Sequence, residues 1–165
     1  MWITTDYENI SKALISEYKF KHNRSAAKPI ANLMVDTFLL FNNDDHIAAK
    51  NYVVVSVPTA TGRIRQRSFD HAALIAKNVA RILELEYQKG LRRYGQVRQT
   101  GAKRAERLAK IAGSFTAQPA SKLQSRNILL IDDVITTGAT IGEAAKTLRK
   151  AGARSVDALV FAKRL

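Results

Sequence analysis

A chain of 165 residues with 46% hydrophobic side chains has material for one core of ordinary size, which excludes a second large domain. The absence of cysteine excludes a disulfide framework, a thiol nucleophile and a Cys-based zinc site. The excess of 27 Lys and Arg over 14 Asp and Glu, a net charge of +13, favours phosphate-bearing partners: nucleic acid, a polyphosphorylated metabolite or an anionic surface.

The opening stretch MWITTDYENISKALISEYKF carries acids where a signal peptide carries positive charge. No window approaches the roughly 18 apolar residues of a membrane span, so a soluble, cytoplasmic protein without membrane insertion is expected. Two helices are predicted first. Ile10, Leu14, Ile15 and Tyr18 form one stripe, and Ile30, Leu33, Met34, Phe38 and Phe41 the next, with Ser25 as the second helix's cap and Pro29 in its first turn. After the loop NNDDH, NYVVVSVP (51–58) reads as a buried strand ended by proline, followed by a helix carrying Leu74, Ile75, Val79, Ile82 and Leu83.

The segment LRRYGQVRQTGAKRAERLAK (91–110) sets Arg92, Arg93, Arg98, Lys103, Arg104, Arg107 and Lys110 against Glu106 alone. It reads as a basic loop over about 91–104, hinged at Gly95 and Gly101, running into a helix over about 102–112. NILLIDDV is a second buried strand, GATIGEAAKTLRKAG a helix with Ile141, Ala144, Ala145 and Leu148 inward and Gly152 as its stop, and SVDALVFA a third strand. Strands apolar on both faces that alternate with helices define an α/β fold with a mostly parallel sheet. The expected organisation is one domain, with residues 1–45 as a helical N-terminal part and 46–165 as the α/β core. His22, His46 and His71 are too scattered for a metal site and are expected at the surface or at helix ends.

The run NILLIDDVITTGAT carries the chemistry. Asp132 and Asp133 stand at the end of a buried strand, where ligands of open α/β sheets bind. Carboxylates accept only, so they suit sugar hydroxyls or hydrated Mg²⁺. The following Thr136, Thr137, Gly138, Ala139 and Thr140 lead into a helix, and their backbone N–H groups form an anion cradle. Acids beside an anion site are reconciled by a sugar phosphate, whose phosphate lies in the cradle while its hydroxyls meet the carboxylates. The run is not a Walker loop, since GxxxxGK[ST] occurs nowhere.

ILLIDDVITTGAT resembles the signature of type I phosphoribosyltransferases that binds 5-phosphoribosyl 1-pyrophosphate (PRPP), and it matches without a gap. VVVSVPTATGRIRQRSFDHAALIAKNVA and QTGAKRAERLAKIAGSF resemble stretches of the ComF branch, so the likeness spans roughly residues 10–163. The resemblance implies a type I phosphoribosyltransferase fold with a small N-terminal helical hood. It implies that Asp132 and Asp133 hold the ribose hydroxyls and reach Mg²⁺ through water, with residues 136–140 cradling the 5′-phosphate. Pro58, Thr59 and Ala60 would form the pyrophosphate loop, with Arg63, Arg65 and Arg67 balancing its charge, and the basic segment would close over the site. ComF proteins take part in natural transformation, the uptake of DNA by bacteria. Transfer would bring a nucleophile to ribose C1 as pyrophosphate leaves.

Departures from the branch are specific. Its members commonly begin with a Cys-rich zinc ribbon, whereas this chain has no cysteine. Arg67-Ser68-Phe69-Asp70-His71 stands where Arg-Gly-Phe-Asn-Gln is usual, which sets the charge of Asp70 beside the pyrophosphate position, and Lys110 replaces an Asn. Three functions fit: a Mg²⁺-dependent phosphoribosyltransferase, a single-stranded DNA-binding protein using the basic segment and Tyr94, and a PRPP sensor. A helicase or another competence-machinery protein is a further partner the basic surface suits, and a homodimer is common in the family.

Overall fold

The computed structural model describes residues 1–20, 23–42, 51–59, 69–94, 113–118 and 122–164. Among them the chain runs β1 (Trp2–Asp6), α1 (Asn9–Phe20), a 3-10 turn (Arg24–Ala26), α2 (Ala27–Phe41), β2 (Tyr52–Ser56), α3 (His71–Ile82), β3 (Glu86–Gln88), β4 (Leu91–Arg93), β5 (Phe115–Ala117), β6 (Asn127–Ile135), α4 (Ala139–Lys150) and β7 (Ser155–Lys163). Five strands pair in parallel in the order β1-β7-β6-β2-β3, and β4 and β5 form a separate antiparallel ribbon.

Alternation along the central strands divides the core between two faces. Tyr52, Val54, Leu129, Ile131, Leu159 and Phe161 point to the face covered by α1, α2 and α3. Val53, Val55, Ile128, Leu130 and Val160 point to the other, where Ile141, Ala144 and Leu148 of α4 and Leu91 and Phe115 of the ribbon complete the packing. Burial on both faces is the reason these strands read as unbroken apolar runs.

The N-terminal part departs from expectation. It opens with an edge strand, β1, paired to β7, and α2 lies on the sheet against α3, β1 and β7. The buried stripes are narrower than their periodicity suggested: Ile15, Tyr18, Ile30, Met34 and Phe38 are fully buried, but Ile10 is 84% exposed, Leu33 47% and Phe41 69%. Ile82 lies at the surface as well. Ser25 does not cap α2, because Asn23 Oδ1 accepts from Ser25 N at 3.2 Å to start the 3-10 turn, which feeds straight into the helix. His71 opens α3, at a helix end as expected, but is fully buried there, stacked on Phe69 at 4.2 Å between centroids. Arg92 and Arg93 lie on β4 rather than in a loop.

Candidate functional site

From β2 the chain crosses through α3 to β3 on one side of the sheet, and from β6 it crosses through α4 to β7 on the other. The gap between the C-terminal ends of β2 and β6 is therefore the switch point at which open α/β sheets bind ligands. The register sets the two ends side by side. Ser56 is paired with Ile131, and Val57 N donates to Ile131 O at 2.9 Å, so Pro58 and Thr59 leave the sheet alongside Asp132 and Asp133.

The acidic pair interrupts the pleat. Ile131 and Val134 both pack against the first core cluster and Ile135 against the second, so the alternation slips across the two carboxylates. Asp132 is partly buried and accepts from Asp133 N through Oδ1 at 2.8 Å. Burial, and then the charge of Asp133, raise its pKa to about 8, against the weaker opposing pulls of that N–H and of Lys19. Asp133 is held by Lys19 Nζ at 2.7 Å, with both side chains 14% exposed.

Beyond the pair, Thr136 and Thr137 are exposed, and Gly138 takes φ +78° as the residue before α4. Only the left-handed conformation demands glycine here, since a Cβ would meet its nearest neighbour, Ile135 Cδ1, at 3.6 Å. No side chain of the N-cap residue bonds the first turn of α4, which carries no acid. Thr137 Oγ1 accepts from Ala139 N at a long 3.4 Å. Thr140 is partly buried in that turn.

At the neighbouring strand end Asp70 caps α3, accepting from Ala73 N at 3.2 Å and from the Thr59 hydroxyl at 3.0 Å. Its carboxylate is thus directed into the helix and tied to the loop after β2. Ala60, Arg63, Arg65, Arg67, Arg98, Lys103, Arg104, Arg107, Lys110, His22, His46 and the helix expected over 102–112 lie outside the described residues. On the ribbon, Arg92 lies over the Tyr94 ring at 5.1 Å and Arg93 over Phe115 at 5.4 Å. An open cleft of about 260 Å³ at the ends of β1 and β7 is lined by Asp6, Tyr7, Glu8, Lys12, Lys163 and Arg164.

The structure thus sets Asp132, Asp133, Thr136–Thr140, Pro58 and Thr59 at and just beyond the neighbouring ends of β2 and β6, and leaves Arg92 and Arg93 on the separate ribbon. Sequence reasoning missed Lys19, whose contact no local pattern announces. It also missed the cap at Asp70, which an aspartate directly before a helical run does announce.

A parallel sheet with an acidic strand end and a glycine-led helix start is an α/β fold with the layout of a ligand site at its strand ends. The phosphoribosyl transferase domain model matches residues 69–165, and the chain belongs to that family. Its relatives are ComF-type proteins. It is 29% identical to competence protein ComFC of Bacillus subtilis over 88% of this chain and 56% of that protein. It is 26% identical to the DNA utilization protein YhgH of Salmonella typhimurium over 93% and 67%, and 26% identical to competence protein F of Haemophilus influenzae over 87% and 64%. The chain therefore spans between 56% and 67% of the length of these relatives. Among solved structures, an allosteric regulatory enzyme of purine biosynthesis superposes with a TM-score of 0.55 at 22% identity, over 83% of this chain and 25% of that one. The glutamine PRPP amidotransferase of B. subtilis superposes at 0.53 and 23%, over 82% and 26%. These two likenesses establish the fold.

Among the described residues no helix is long and apolar enough to cross a membrane.

Proposed function

We propose that the crevice between β2 and β6 binds PRPP together with Mg²⁺, and that the protein transfers the phosphoribosyl group to an acceptor, releasing pyrophosphate, in the handling of DNA taken up by the cell. The observation that carries the reading is the junction of β6 and α4: two carboxylates followed within a few residues by a left-handed glycine and a helix start met only by the long contact from Thr137. Ribose hydroxyls donate to Asp132 and Asp133, and the N–H groups of the first turn of α4 with the hydroxyls of Thr136, Thr137 and Thr140 take the 5′-phosphate. Pro58, Thr59 and Ala60 take the pyrophosphate, with Arg63, Arg65 and Arg67 as its cations.

The donor set fits Mg²⁺. Among the described residues no group of three or more His, Cys, Asp or Glu forms a protein cage, and two carboxylates suit an ion that keeps waters and shares the substrate's phosphates. When bound, Mg²⁺ supplies positive charge to the departing diphosphate. Burial and the neighbouring charge of Asp133 push the pKa of Asp132 up, so its ionised form is costly in the free site, and a bound cation would offset that cost.

Calorimetric titration with PRPP, with and without Mg²⁺, tests the reading beside an Asp132→Asn, Asp133→Asn double variant. Mg²⁺-aided binding, lost in the variant, is the expected result. Equal binding by both proteins would sink it.

A second reading is favoured by the ribbon. Arg92 and Tyr94 are exposed and stacked, the pairing of cation and aromatic that single-stranded DNA contacts use. DNA binding that weakens steeply with salt and falls in an Arg92→Ala, Tyr94→Ala variant would support it.

A further inference from the structure

Lys19 is one of 27 basic residues and has no prominence in the sequence. Its position is set by its neighbour. The Tyr18 hydroxyl donates to the carbonyl of His71 at 2.8 Å, and His71 Nε2 lies 3.2 Å from the carbonyl of Tyr18. The Tyr18 ring meets those of His71 and Phe69 edge-on, at 4.8 and 5.5 Å between centroids. Tyr18 and His71 are both fully buried. This clasp fixes the last turn of α1 to the first residue of α3, and the next side chain, Lys19, reaches Asp133 Oδ2 at 2.7 Å. An exposed lysine wandering over a surface acid holds little in place. A pair only 14% exposed on each side, with one partner delivered by a buried clasp, is a built feature of the site.

The contact bears on which cation the carboxylates accept. An ammonium on Asp133 neutralises the charge that would otherwise draw a divalent ion, and the two cations repel each other across one carboxylate. A phosphorylated sugar changes the balance, because its own negative charge accompanies the metal and gives the flexible lysine another anion to meet. We propose that Lys19 is a resident counter-cation of the carboxylate pair, seated where a divalent ion would approach Asp133, so that the free protein resists a divalent ion arriving alone and accepts it together with its sugar ligand. The second half rests on the PRPP reading above; the first half does not.

The test uses Mn²⁺ alone, with free ion followed by electron paramagnetic resonance, on the wild type, Lys19→Met and Lys19→Arg. Removing one of two mutually repelling charges at contact distance should tighten Mn²⁺ binding by about tenfold or more in Lys19→Met, while Lys19→Arg stays as weak as wild type. Equal affinity in wild type and Lys19→Met, or Lys19→Arg behaving like Lys19→Met, overturns the proposal. Should circular dichroism show Lys19→Met unfolded, Lys19→Gln is judged by the same criterion. Titration of wild type with PRPP is read separately: its failure removes the sugar reading and leaves the Mn²⁺ comparison to decide the role of Lys19.

Discussion

Two helices begin at the same edge of the sheet, and their first turns are completed in opposite ways. At α3, Asp70 turns its carboxylate onto Ala73 N and binds the Thr59 hydroxyl as well. At α4 the chain enters through left-handed Gly138, with no side-chain cap from that residue and no acid in the first turn. A helix start whose N–H groups meet the protein's own carboxylate has little positive end left to offer, whereas one without such a partner presents it to an external anion. The contrast also accounts for Asp70, whose carboxylate, beside the proposed diphosphate position, caps a helix.

The sharpest way to break the contrast is at Gly138. A Gly138→Val substitution places a β-branched residue at φ +78° and should cost roughly 1–2 kcal/mol of stability. It should also weaken PRPP binding by about a hundredfold or more, since it displaces the N–H groups proposed to hold the phosphate. Chemical denaturation and calorimetry read the two effects, and unaltered PRPP affinity would remove the cradle from the site.

Next in size is the pH dependence of Asp132. Its folded pKa, about 8, lies above the ordinary carboxylate value, so between those values the folded protein holds a proton that the unfolded chain has lost. Its contribution is therefore fully present below about pH 4 and is lost as pH rises through about 8. In metal-free buffer, Asp132→Asn should gain in melting temperature over wild type steadily from pH 4 to pH 8. A constant gap would mean that Asp132 ionises normally.

What was legible in the sequence follows from what is local. The strands β2, β6 and β7 are buried on both faces and declare themselves as apolar runs, and the carboxylates, glycine and helix start of the site are contiguous in ILLIDDVITTGAT. The strands β3, β4 and β5 have three residues each, too few to carry a period, and β1 is an edge strand whose residues are only partly buried. Periodicity located the inward faces of α1 and α2 but not their width, which is set by the surfaces they pack against and explains exposed Ile10, Leu33 and Phe41. Lys19 was invisible because its partner stands on a strand far along the chain.

At α3, Asp70→Ala should cost about 1 kcal/mol, the ordinary loss of an N-cap. In a chain of 165 residues that lowers the melting temperature by about 2–4 °C. The same change unties Thr59, so PRPP affinity should fall severalfold through the proposed pyrophosphate loop while ribose 5-phosphate, which lacks the pyrophosphate, binds as before. Loss of both affinities together would place Asp70 in the phosphate cradle and erase the division of labour between the two helix starts.

The smallest change is the matching one at α4. Thr137 Oγ1 lies 3.4 Å from Ala139 N, too long for a strong bond, and Thr137 is exposed. Thr137→Val removes that acceptor while keeping the shape, and should cost under about 0.5 kcal/mol, the ordinary scale of surface substitutions. Its effect should appear on binding instead, as a few-fold loss of affinity for ribose 5-phosphate when one hydroxyl donor is withdrawn from the phosphate. The ratio of these two effects separates a cap from a cradle: Asp70→Ala loses stability and keeps ribose 5-phosphate binding, Thr137→Val the reverse. A melting temperature for Thr137→Val as low as that of Asp70→Ala would mean that α4 is capped as firmly as α3, leaving its first turn with no vacancy for a phosphate.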